Sequence, residues 1–137
     1  MKKISLFFIT LLCAQTLFAH PHAFIDMRTK VLVEKQQLVG FSMRWVLDEP
    51  SSAAVLYDVK QAKSDKKALQ KLIDEVIGNV VNEHYFSYLF DKQGNKVKYS
   101  AKPQNYGMKS SGAQVLYYFD FMLSKPQLLQ DNEFTLS

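Results

Sequence analysis

Two of the chain's three histidines stand one residue apart, in His20-Pro21-His22. Residues two apart in an extended chain point to the same side, so both imidazoles can face one metal ion. Neutral imidazoles combined with a carboxylate suit zinc, nickel, cobalt or copper(II). Asp26, Asp48 and Glu49 are the carboxylates in reach if the flanking segments pair as described below. One binding mode is excluded. A square-planar amino-terminal site with histidine third in the chain needs a deprotonated amide at the second residue, and Pro21 has no amide hydrogen to lose. His20 and His22 must act through their side chains, joined by the α-amine if His20 becomes the first residue. The plain alternative is a pair of solvated histidines.

The residues that follow must position this motif. From Ala23 to Val33 apolar residues favour odd positions, and from Leu38 to Leu47 they do so again as Val39, Phe41, Met43, Trp45 and Leu47. Period-two alternation reads as two strands, each with one buried face. If they pair as a hairpin with their odd faces together, paired residue numbers must sum to an even number. A three-residue loop pairing Glu34 with Leu38 meets that condition. Asp26 then faces Val46, Phe24 faces Asp48 and His22 faces Pro50, which brings the histidines beside Asp48 and Glu49.

Asp48 to Ser52 reads as a turn that ends the second strand, and Ala53 to Val59 is ambiguous. Ser64 or Asp65 caps an expected helix running to about His84. Its stripe is Leu69, Leu72, Ile73, Val76, Ile77, Val80 and Val81, the spacing of a helix laid on a sheet. His84 continues that stripe and reads as a core or capping residue. Tyr85 to Phe90 and Lys96 to Ala101 flank a turn at Asp91 to Asn95. A loop from Pro103 to Gly112 precedes a strand from Ala113 to Leu123, and Pro126 ends the alternation. Glu133 to Ser137 reads as the start of another strand. The expected fold is α+β: an N-terminal β-hairpin, one amphipathic helix, then antiparallel strands with the helix packed on one sheet face.

Met1 to Ala19 reads as a secretory signal peptide. Lys2 and Lys3 lead an apolar run that is too short for a membrane span, and the segment closes on a small residue. Cleavage after Ala19 would leave His20 first and remove Cys13, the one cysteine, so no internal disulfide is expected in the exported protein. Of 17 basic residues, two lie in this leader, leaving 15 against 13 acidic ones. So slight and scattered an excess argues against a nucleic-acid partner. No G-x-S-x-G, S-x-x-K or Walker loop is present, and no enzymatic activity is expected. With 47% hydrophobic and 13% aromatic residues the chain can build a core. The expected organisation is a signal peptide over 1–19 and one domain over 20–137, truncated at its C-terminus.

Four groups of residues carry a resemblance: His20-Pro21-His22-Ala23-Phe24-Ile25-Asp26; Arg44-Trp45 followed by Asp48-Glu49 and Ser52-Ala53; Tyr85-Phe86 with Tyr88; and Phe134-Thr135-Leu136-Ser137. In these the chain resembles a family of periplasmic proteins of unassigned biochemistry, the ZevA-like family. Its members are described as the periplasmic component of an uncharacterised ABC-type transport system and are encoded beside nickel/cobalt-type permeases. Relatives are longer, with a tyrosine-rich Asp-Pro segment that this chain lacks and, in some, an Asp-rich loop where this chain has Val59 to Lys63. The resemblance implies metal handling beside an inner-membrane divalent-metal permease. The sequence reading is therefore a periplasmic, non-enzymatic accessory protein binding a divalent metal, zinc foremost, through His20 and His22 with Asp26, Asp48 or Glu49. It would have no membrane span of its own after cleavage. A module that contacts the permease without binding metal is the second reading, and a copper enzyme using an N-terminal histidine is a weaker third.

Overall fold

The computed structural model describes residues 24–62 and 65–137. His20, His22, the leader and Ser64 lie outside the described residues. The first elements are β1 (Ile25–Glu34) and β2 (Gln37–Leu47), an antiparallel hairpin. Its turn is shorter than the sequence implied. Lys35 and Gln36, at φ of 48° and 64°, form a two-residue turn with Glu34 opposite Gln37. Two positive φ angles give the turn whose twist matches the strands. The register then shifts between Leu32 and Val33, leaving Val39 as an extra residue on β2. This bulge restores the expected pairing, and Asp26 faces Val46 and Met27 faces Trp45. The expected three-residue loop is thus corrected, while the register near the site holds.

Two helices follow where one was expected. α1 spans Glu49–Ala62 and α2 spans Lys66–Asn82. α1 was hidden because its burial is slight. Ser52 is its one buried residue, with Val55 and Leu56 packed at the core's edge. Asp48, read as part of a turn, is its cap, and Pro50 fits because a first-turn residue has no backbone N–H bond to lose. α2 is capped by Asp65, whose Oδ1 accepts the Lys67 and Ala68 amides at 3.0 and 3.3 Å. Ile77 and Val80 are its buried residues, and the helix stops at Asn82, short of His84.

The main sheet has the order β1-β2-β6-β5, all antiparallel, where β5 is Gln104–Ser111 and β6 is Gln114–Leu128. β5 replaces the expected loop; its polar sequence hides it, and pairing with β6 defines it. Odd positions of β2 and β6 face the helices: Phe41 opposes Phe121, Met43 opposes Phe119, and Trp45 opposes Tyr117. Phe119, Phe121 and Val115 are completely buried. The odd face of β1 is not covered to the same degree, and Met27, Val31 and Val33 stay about half exposed. β6 runs through Pro126 instead of stopping before it. Pairing with β2 breaks between Leu38 and Gly40, so Pro126 falls within an irregularity, where the lack of a backbone donor costs nothing.

A second sheet has the order β4-β3-β7, where β3 is Leu89–Phe90, β4 is Lys96–Val97 and β7 is Thr135–Leu136. The expected strand from Tyr85 is shorter because its start is a left-handed turn. His84, Tyr85 and Phe86 take φ of 55°, 53° and 51°. Each such non-glycine residue costs roughly 1–2 kcal/mol. Ring packing opposes that cost: Tyr85 is buried and stacks on Phe121 at 4.7 Å.

Candidate functional site

Asp48 joins the three elements around the predicted metal site. Its Oδ2 accepts the Phe24 amide at 2.8 Å, its Oδ1 accepts the Ser51 amide at 2.8 Å, and its own amide donates to the Phe24 carbonyl at 3.0 Å. The first residues of the hairpin are thereby tied to the N-terminus of α1. The expected facing of Phe24 and Asp48 is observed.

The other nominated carboxylates stand apart. Asp26 lies on the outward face of β1 and pairs with Arg28, its Oδ2 3.7 Å from Nε. Glu49 is exposed at the first helical position. Among the described residues, no three His, Cys, Asp or Glu side chains come together. The described carboxylates by themselves do not make up a metal's ligand set. Any metal would depend on the nitrogens of His20 and His22, which lie outside the described residues.

Sequence reasoning missed two features. Ser52 is fully buried; its Oγ accepts the Val115 amide at 2.9 Å and donates to the Leu47 carbonyl at 3.3 Å. It locks the first turn of α1 to β6. Only its position three residues into a helix would have signalled this, and that helix was not read. His84, placed by the sequence on the helical stripe, lies beyond the helix. Its ring is sandwiched between Tyr88 and Tyr99 at 4.4 and 4.6 Å, with Nδ1 2.7 Å from the Ser87 carbonyl oxygen. A carbonyl can only accept, so Nδ1 is the donor in this contact.

The family model described as a protein of unknown function, DUF1007, matches residues 5–137. The chain belongs to the DUF1007 family. A Haemophilus influenzae relative named "Uncharacterized protein" is 59% identical over 118 residues, covering 86% of this chain and 57% of its own length. The chain therefore spans somewhat more than half of that relative. No solved structure matches.

The hydrogen bonds at Asp48 make the stability of this DUF1007 protein depend on acid. The Ser51 hydroxyl, then the Phe24 and Ser51 amides, hold the Asp48 carboxyl below its ordinary value of 3.8. A carboxyl depressed in the folded state contributes stability above its unfolded pKa, and that contribution disappears as pH falls through the lower folded value. Acid titrations followed by the fluorescence of Trp45, the single tryptophan, should show the wild type losing stability below about pH 4 more steeply than Asp48→Asn. Parallel curves would show that the carboxylate's charge is irrelevant to the tether.

Proposed function

We propose that this protein is an exported, periplasmic accessory of a divalent-metal transport system that binds zinc, or nickel or cobalt, and performs no catalysis. The leader over residues 1–19 and the ZevA-like sequence features support the location and the permease partner. One observation carries the metal reading: the double hydrogen-bonded junction of Phe24 with Asp48. It holds Phe24, two residues after His22 in sequence, against a carboxylate that accepts amides yet keeps lone pairs on both oxygens. Each nitrogen donor must lose its proton to bind metal, so affinity should fall as pH drops through about 6.5.

Calorimetric titration of zinc into protein beginning at His20 tests the proposal. Replacing His20 and His22 together with alanine should weaken binding roughly 100-fold or more, since too few nitrogens remain for a tetrahedral site. Replacing His84 should change zinc affinity little. Unchanged affinity in the double variant ends the metal reading. A second reading, contact with a membrane permease without metal, is favoured by the half-exposed apolar residues of β1 and by Phe24 and Phe86, 73% and 59% exposed. Copurification with the permease despite loss of both histidines would support it.

A further inference from the structure

The outward face of the main sheet, remote from the helices, carries charge in an arrangement that a free-standing sheet avoids. The register places Arg28 of β1 directly opposite Arg44 of β2, and Arg44 directly opposite Tyr118 of β6. Like charges facing each other across an antiparallel ladder repel. Lys30 and Lys109 line the same groove, of about 480 Å³, so four cations meet one carboxylate, Asp120. That carboxylate is engaged by the Asn105 amide at 3.0 Å. Asp26 reaches Arg28 only through Nε, and among the described residues no ion pair involves Arg44, Lys30 or Lys109.

The groove is also shaped. Gly107 pairs with Tyr118, and a Cβ on Gly107 would collide with the tyrosine's hydroxyl end. The ring therefore lies across the bare backbone of β5, leaning away from Arg44, and the Lys109 ammonium sits 5.4 Å from its centre. A glycine at this point lets an aromatic ring lie flat and keeps the space above the two arginines open.

We propose that this face binds a phosphate group, with Arg28 and Arg44 as the two forks that hold it and Lys30 and Lys109 as flanking charges. A guanidinium donates two parallel hydrogen bonds to paired oxygens. Two forks from facing strands can both be satisfied by a tetrahedral dianion, which has oxygens enough for each, whereas a single carboxylate has two in all. Binding would also relieve the Arg28–Arg44 repulsion. A soluble phosphate compound is the committed source, because every residue lining the groove is polar or charged and none has an aliphatic side chain that would seat an acyl chain. The proposal does not rest on the metal reading, though Asp26, one of that reading's carboxylates, pairs with Arg28.

Inorganic phosphate titrated into the protein at low salt, followed by amide chemical shifts, tests it. Saturable binding is expected, with shifts clustered on Arg28, Arg44 and Tyr118. Arg44→Gln, at an exposed position that folding tolerates, should weaken it roughly tenfold or more, and Arg44→Lys, which keeps charge but loses the fork, by less. Lys96→Gln, on β4, should leave it unchanged. In a parallel arm, cosedimentation with phosphatidylglycerol vesicles but not phosphatidylcholine vesicles, lost in Arg44→Gln, would assign the phosphate to a lipid headgroup. No saturable binding in either arm, or binding indifferent to Arg28→Gln and Arg44→Gln, overturns the proposal.

Discussion

Phe121→Ala should destabilise the protein by about 3–5 kcal/mol, the cost of emptying a fully enclosed aromatic site. Phe121 is completely buried and touches three rings: Tyr85 at 4.7 Å, Tyr99 at 4.8 Å and Phe41 at 5.3 Å. Against the roughly 5–15 kcal/mol that holds a domain folded, this is about a fifth or more. The loss has a second component here. The Tyr85 ring anchors the left-handed turn at His84 to Phe86, and without Phe121 beneath it that turn loses the packing that opposes its backbone cost. Thermal unfolding followed by Trp45 fluorescence should show a midpoint lower by roughly 10 °C or more. Phe121→Leu, which keeps most of the volume, should lose far less. Equal losses in the two variants would mean that the ring contacts, not the filled volume, carry the stability.

Two glycine replacements should move stability in opposite directions. At Gly40 a Cβ would sit 2.6 Å from the Phe121 carbonyl oxygen and 2.8 Å from the Met122 sulfur. The methionine can swing aside, but the carbonyl is part of the β6 backbone and cannot. Gly40→Ala should therefore cost about 1–3 kcal/mol as β2 and β6 are forced apart. At Gly78, inside α2, a Cβ would meet nothing within 4 Å. Gly78→Ala should instead stabilise by roughly 0.5–1 kcal/mol, because alanine loses less backbone freedom in a helix. Chemical denaturation of the two variants beside the wild type checks both signs.

Gly40 also shows where the sequence stops being legible. Alternation along β1 and β2 revealed two strands and their shared face, since burial on one side repeats every two residues. It did not reveal the two-residue turn or the extra Val39. Those two features offset each other, so the parity argument still placed Phe24 against Asp48. α2 was readable because Ile77, Val80 and their neighbours repeat at helical spacing. α1 was not, since its decisive contact is a buried hydroxyl, Ser52, rather than an apolar stripe. β5 has no pattern of its own and exists through pairing with β6. At the site, proximity was legible and occupation was not: nothing in the letters says that Asp48 caps a helix and receives the Phe24 amide. The opposition of Arg28 and Arg44 follows from the same parity rule, applied to the even positions.

β6, a strand of the main sheet, also holds the chain that leaves the second one. Its middle pairs with β2 and β5, and beyond Phe121 its backbone meets the segment after β4: the Ser100 amide donates to the Met122 carbonyl, the Ser124 amide donates to the Lys98 carbonyl, and Tyr99 bridges to Leu123. The segment after β4 cannot leave the main sheet without breaking its bonds to β6. The described residues should therefore melt as one cooperative unit, and the amides of Phe119 to Leu123 should exchange with solvent only through global opening. β1 and β5, each paired along one edge alone, should exchange their amides sooner than β6 does, so opening begins at the rims of the main sheet while its middle stays closed.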